Sequence, residues 1–275
     1  MPEMNSTQAK IQPHIREAAV AGKFYPRKAE LLQRQVDDCI AAAGTDAGKR
    51  PKAIIGPHAG YVFSGVIAGS AYAPLLAACE GVKRVVIIGP SHYVPFKGIA
   101  IPSCDAFETP FGLVQLDRAG VSQALQASPC VVERDDAHAQ EHGLEVHLPF
   151  LQTVCASFEL IPLVTGEVAC EAVATVLERL WGGPETLMVI SSDLSHFYDY
   201  ATAQTLDRQT SDAILALDPE AIEEKGACGR LAIQGLLSCA RAHRLRPALL
   251  DLRNSGDTAG DRQRVVGYGA YAFYD

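Results

Sequence analysis

Three times in this chain a run of β-branched or aliphatic residues breaks off and a histidine follows a step later. In Arg84–Pro95 the run is Val85, Val86, Ile87 and Ile88, the break is Gly89-Pro90, and the histidine is His92. An uninterrupted apolar run of this kind marks a strand buried on both faces. Pro90 supplies no N–H and holds the residue before it in extended geometry, so the strand stops there. Lys52–His58 (Lys-Ala-Ile-Ile-Gly-Pro-His) repeats the arrangement. Thr186–His196 runs a third strand into Ser191-Ser192-Asp193-Leu194-Ser195-His196. In open α/β sheets, ligands bind beyond the carboxyl ends of the strands. Three strands that each deposit a histidine there predict a metal or acid–base site.

The rest of the chain reads as alternating helices and strands. Helical periodicity covers Lys28–Ala43, a helix capped by Ser64 is expected to reach Cys79, and Asp117 caps another to Gln126. Glu167–Leu180, Asp199–Leu217, Pro219–Glu224 and Gly229–His243 also read as helical. Further strands are expected at Gly98–Pro102, Leu113–Leu116, Phe158–Val164, Pro247–Leu252 and Arg264–Tyr274. Asp105–Gly112 and Asn254–Asp261 read as loops, the latter exposed. This interleaving predicts a single α/β domain over residues 14–275, three-layered with a mostly parallel central sheet, after a flexible N-terminus at 1–13. At 275 residues no covalent staple is needed for a core. The net charge of −8 is mixed along the chain without a basic stripe, which argues against nucleic acid as a partner. No apolar stretch is long enough to span a membrane, and Met1–Gln12 is polar with no signal-peptide core, so a cytoplasmic protein is expected. The eight cysteines include no Cys-x-x-Cys; in a reducing compartment most are expected to be small buried hydrophobes.

His58 and His92 are the primary metal-ligand candidates, and imidazole suits iron, copper, zinc and nickel alike. A third ligand is required. Cys228 stands just before a predicted helix, whose N-terminus favours the metal-binding thiolate; the alternative is a buried structural thiol. Asp193 is the rival, because two histidines and a carboxylate form the facial site of non-haem iron oxygenases. His196 is the candidate acid–base group, with Asp193 to orient it or else to cap the following helix. A serine-nucleophile triad is rejected: Ser191, Ser192 and Ser195 crowd into one turn without a Gly-x-Ser-x-Gly elbow. His142 and Glu145 share a helical face at i, i+3, whereas His147 points elsewhere, so support of the ligands or capping is expected of this cluster. Phe24, Tyr61, Phe63 and Tyr93 either wall a pocket or pack in the core.

Together the motifs resemble the Memo family. They are Ala19-Val20-Ala21-Gly22-x-Phe24-Tyr25-Pro26, Pro57-His58-Ala59-Gly60-Tyr61, Gly89-Pro90-Ser91-His92, Glu141-His142-x-x-Glu145-x-His147-Leu148-Pro149, Ser191-Ser192-Asp193-x-Ser195-His196 and Cys228-Gly229-Arg230. Prokaryotic members are called AmmeMemoRadiSam system protein B. The resemblance implies a fold similar to LigB-like (class III) extradiol dioxygenases, with His58 and His92 matching the paired iron ligands and Cys228 standing where those enzymes have a glutamate. It implies His196 as the acid–base histidine, Asp193 beside it, and Arg230 near the pocket. The implied cofactor is iron(II), then copper, then zinc. The implied partners are a small-molecule or peptide ligand in the pocket and, by genomic association, radical-SAM and AMMECR1-type proteins. Thiolate in place of carboxylate changes the metal's charge and softness, so ring cleavage itself is not implied. A redox protein, a peptide- or protein-binding module with a relict pocket, and a zinc hydrolase are the three functional expectations.

Overall fold

In the computed structural model, which describes residues 13–44 and 49–275, Val85, Val86, Ile87 and Ile88 lie in the fully buried middle of a strand. The strands in chain order are β1 (Ile15–Arg16), β2 (Ala53–Gly56), β3 (Arg84–Pro90), β4 (Ile99–Ile101), β5 (Ala106–Thr109), β6 (Gly112–Gln115), β7 (Val131–Glu133), β8 (Glu159–Thr165), β9 (Thr186–Ser191), β10 (His196–Tyr198), β11 (Arg246–Asn254) and β12 (Val265–Tyr274). The α-helices are α1 (Ala29–Ala41), α2 (Tyr61–Tyr72), α3 (Arg118–Ala127), α4 (Asp135–Ala139), α5 (His142–Glu145), α6 (Leu148–Val154), α7 (Cys170–Leu180), α8 (Tyr200–Leu215) and α9 (Arg230–Ala242).

Strands β2, β9, β3 and β8 lie side by side in parallel at the centre of one large sheet. Their register aligns the carboxyl ends, with Gly56 opposite Ser191 and Ile88 opposite Ile190. The flanks are mixed. β4 joins β8 antiparallel and carries β7, while β12 joins β2 antiparallel and carries β10 and β11. The sheet is therefore parallel across β2, β9, β3 and β8, and turns antiparallel at the β8–β4 and β2–β12 joins. Helices form the outer layers: α1, α2 and α6 pack together, with α2 against β2, β11 and β12, and α3, α7 and α9 pack together, with α9 against β3 and β9. α7 shows why. Val173, Val176, Leu177 and Leu180 make one buried stripe, with Glu171, Glu178 and Arg179 away from it. α2 instead uses small residues to let α1 approach, since a Cβ on Gly69 would lie 2.1 Å from the Cys39 carbonyl oxygen.

Several local expectations are corrected. Residues 106–109 form a strand in which Ala106, Phe107 and Thr109 are buried and Glu108 is exposed, held between β1 and β6; Pro110 marks the tip of the hairpin with β6. α2 starts at Tyr61 and ends at Tyr72; Ser64 donates back to the Ala59 carbonyl (2.9 Å) and caps nothing. Residues 219–224 form turns with no helix. Asn254 and Ser255 are buried, and Asn254 with Asp257 forms a capping box, so this loop begins inside the protein. Cys79 and Cys155 form a disulfide with a Cα–Cα distance of 5.3 Å. Their separation of 76 residues is why no spacing pattern announced it. The expectation for residues 1–13 falls, Pro13 apart, outside the described residues. Among the described residues no helix is long and apolar enough to cross a membrane.

Candidate metal centre

The aligned ends of β2 and β3 project His58 and His92 toward one another, with ring centroids 4.9 Å apart and nearly perpendicular planes. The chain leaving β9 turns through Ser192–Ser195 and re-enters as β10, where a bulge between His196 and Tyr198 splits the two flanking side chains. Phe197 sits in the bulge at φ 65° with its ring largely in solvent, while His196 is partly buried. Cys228 arrives by a different route, on the loop that opens α9. Its N–H donates to the Asp193 carbonyl (3.2 Å), and Gly229 N–H donates to Ser192 Oγ (2.9 Å). That docking places Cys228 Sγ 3.2 Å from His58 Nε2 and 3.3 Å from the Asp193 backbone N–H.

One ligand atom each from His58, His92 and Cys228 lies within 4.8 Å of the other two. Two ligands at tetrahedral angles about 2.0–2.3 Å from one ion are roughly 3.5 Å apart, so the donor set fits a single cation. The three imidazoles are held from behind: His58 Nδ1 by Ser191 Oγ (2.6 Å), His92 Nδ1 by Glu141 Oε1 (2.7 Å) and His196 Nδ1 by the Leu194 carbonyl (2.8 Å). Burial, followed by the neighbouring histidines, holds His58 well below its ordinary range. Burial also lowers His196, and lowers His142 to about 4. It pushes the Cys228 thiol up to about 12, with the Asp193 charge adding to it. The helix start was expected to favour the thiolate; desolvation prevails instead, and a bound cation is what would restore it.

Asp193 is buried and does not orient His196. Its Oδ1 accepts from His58 N–H (2.7 Å), and burial raises its carboxyl to about 7. The orienting group for His196 is the Leu194 carbonyl. His142 packs over the centre, 4.4 Å from His92 and 4.7 Å from Phe24 by ring centroid, and its Nδ1 lies 3.2 Å from Tyr93 Oη. Glu145 turns away from it. It is fully buried, pairs with Arg16, and accepts from Ala19 N–H (2.8 Å), Val20 N–H (3.1 Å) and Tyr25 Oη (2.5 Å), which pins the N-terminal segment to the domain. His147 is also core, with Nδ1 2.8 Å from Tyr72 Oη. Tyr61 belongs there too, its hydroxyl donating to the Val146 carbonyl (2.6 Å) and its ring packed on Phe150. Arg230 reaches along its own helix to Gln234 (3.4 Å).

The centre opens on a cleft of about 680 Å³ whose walls include His92, Tyr93, Lys97, Glu167, Cys228 and Leu231. Two residues beside the ligands escaped the sequence reading. Glu141 was visible only as the residue before His142, and Ser191 only as one of three serines crowded beside Asp193 and His196. Burial opposes the Glu141 charge, yet hydrogen bonds from His92 and Gly143 hold its carboxyl below the usual range.

Known proteins resemble this chain in sequence along nearly its whole length. A family model described as Memo-like protein matches residues 16–272. A MEMO1 family protein of Aquifex aeolicus is 35% identical over 266 residues, covering 92% of this chain and 97% of that protein. One from Ignicoccus hospitalis is 35% identical over 284 residues (94% and 98%), and one from Nitrosopumilus maritimus 30% over 275 residues (94% and 99%). By family model and by relatives alike, the chain belongs to the Memo family.

Proposed function

We propose that this Memo-family chain is a metal-dependent redox protein in which His58, His92 and Cys228 hold iron(II), or secondarily copper, and His196 handles protons. The observation that carries this is the meeting of two imidazoles and one thiol from three remote stretches, with donor atoms within 4.8 Å of one another. Neutral nitrogen donors with a single thiol suit a soft or borderline transition metal better than magnesium or calcium. When bound, such a metal supplies one-electron chemistry and an electrophilic coordination position.

The protein's own part follows from its contacts. The Asp193 backbone N–H, 3.3 Å from Cys228 Sγ, stabilises the sulfur once it is a thiolate. His196, with Nδ1 fixed on Leu194, presents Nε2 for proton exchange, and its lowered pKa keeps it a base at neutral pH. His92, Tyr93 and Cys228 line the cleft, so a small-molecule or peptide ligand enters from that side.

Metal-depleted protein reloaded with iron or copper should hold one equivalent per chain, with thiolate-to-metal charge-transfer absorption that Cys228→Ser removes. The combined variant His58→Ala, His92→Ala and Cys228→Ala should bind none. Equal binding by wild type and that variant overturns the proposal. Hydrolytic turnover that appears only on zinc loading would replace it with a zinc hydrolase.

A further inference from the structure

Each imidazole of the centre has one nitrogen already engaged, and the engaged partner determines where the proton sits. His58 Nδ1 lies 2.6 Å from Ser191 Oγ, which lies 2.5 Å from the Gly143 carbonyl oxygen. A carbonyl oxygen only accepts, so the one hydroxyl proton of Ser191 points to Gly143. Ser191 therefore offers His58 a lone pair, and Nδ1 of His58 carries the hydrogen. His92 Nδ1 faces Glu141 Oε1 at 2.7 Å. The same carboxyl receives Gly143 N–H on Oε1 (2.8 Å) and His92 N–H on Oε2 (2.7 Å), donors that favour its ionised, accept-only form. His92 Nδ1 is then a donor as well. His196 Nδ1 faces the Leu194 carbonyl at 2.8 Å and must donate.

We propose that Glu141 and Ser191 are positioning residues that lock His92 and His58 in the Nδ1–H tautomer before any ion arrives. Each ring is left with an unprotonated Nε2, and for His58 that atom lies within hydrogen-bond reach of the Cys228 thiol (3.2 Å), the group it would share a cation with. The ligand set is thus organised in the metal-free protein, and binding requires no tautomer exchange. Carboxylate and hydroxyl partners of this kind orient a ligand imidazole and raise its basicity. Glu141, His92 and His142 also come within 4.8 Å of one another and so present a rival, a second cation site. Three N–H donors already occupy Glu141, which favours the positioning role.

The test uses metal-free, full-length protein labelled with ¹⁵N in its histidines. Two-bond ¹H–¹⁵N correlations distinguish a protonated Nδ1 from a protonated Nε2. Wild type should show Nδ1–H at His58, His92 and His196, and an Nε2–H signal at His58 or His92 overturns the proposal without any variant. Glu141→Ala removes the acceptor from all three N–H donors, the His92 Nδ1–H among them. It should mix the His92 tautomers, leave His58 unchanged and weaken iron(II) or copper binding about 10–100-fold. Ser191→Ala should do the same to His58 alone. A Glu141→Ala chain with wild-type tautomers, or one that has lost a second equivalent of metal, counts against the proposal. The tautomer measurement is independent of metal, so a wild type that binds no metal overturns the proposed function and leaves this one to the spectra.

Discussion

His142 and Glu145 stand three residues apart on a four-residue helix, yet they serve different neighbours. His142 leans on His92 and Phe24, whereas Glu145 is enclosed by Arg16, Tyr25 and two backbone N–H groups. Spacing placed both on one helical face. What separates them is Arg16, 129 positions away from Glu145, and local periodicity carries no information about it. Removing one member of a buried pair leaves the other charge uncompensated, at a cost of about 3–5 kcal/mol. Glu145→Ala should therefore lower the unfolding free energy by that order in a urea titration, and Arg16→Met added to it should recover part of the loss. Asp136→Ala, which breaks a solvent-exposed pair with Arg134, should cost far less. If Glu145→Ala matched Asp136→Ala, water would have to reach Arg16, and the N-terminal segment would not be held as described.

The elements that carry the two ligand histidines were legible because their signals are local. A β-branched run plus Gly-Pro fixes both the strand and its end, and parallel pairing then brings His58 and His92 together whatever lies between them. β5 was illegible because it is four residues long without a clean alternation, and its pairing with β1 lies some 90 positions away in the chain. Cys228 was legible as a residue and not as a position. It comes in on a loop, and loops obey no register. What seats that loop is the absence of a side chain at Gly229, where a Cβ would fall 2.6 Å from the Ser191 carbonyl oxygen and 2.7 Å from Ser192 Cβ. Gly229→Ala must push the loop outward and carry the thiol away from His58. Metal affinity should fall at least about tenfold with the far-ultraviolet circular dichroism unchanged, while Gly44→Ala, where a Cβ would meet nothing within 4 Å, should leave affinity alone. Equal affinity in the two variants would mean that Cys228 is not seated by this approach.

Across the whole molecule, burial has set two families of titrating groups against each other. His58, His138, His142, His147 and His196 are all lowered by desolvation, His138 and His142 to about 4 and His147 to about 3. Asp193 and Asp207 are raised by the same cause, to about 7 and about 6. In the unfolded chain the histidines take up protons near pH 6.5 and the aspartates near 3.9. Below pH 6.5 the unfolded chain therefore gains imidazole protons that the native protein refuses, and stability that is present above 6.5 is lost as the pH falls. The two aspartates act the other way, since the native protein protonates them first. Each proton of difference is worth about 1.4 kcal/mol per pH unit. Near pH 7 the Asp193 proton offsets the first histidine uptake, and the curve should be nearly flat. Toward pH 5 five imidazoles outweigh two carboxyls, so the metal-free protein should lose stability steadily, with a urea midpoint clearly lower at pH 5 than at pH 7. His138→Gln, which removes one refusing group that is not among the metal-ligand residues, should shrink that loss. A midpoint that rose on acidification would mean that the carboxyls dominate, and that the histidines are more exposed to water than their packing implies.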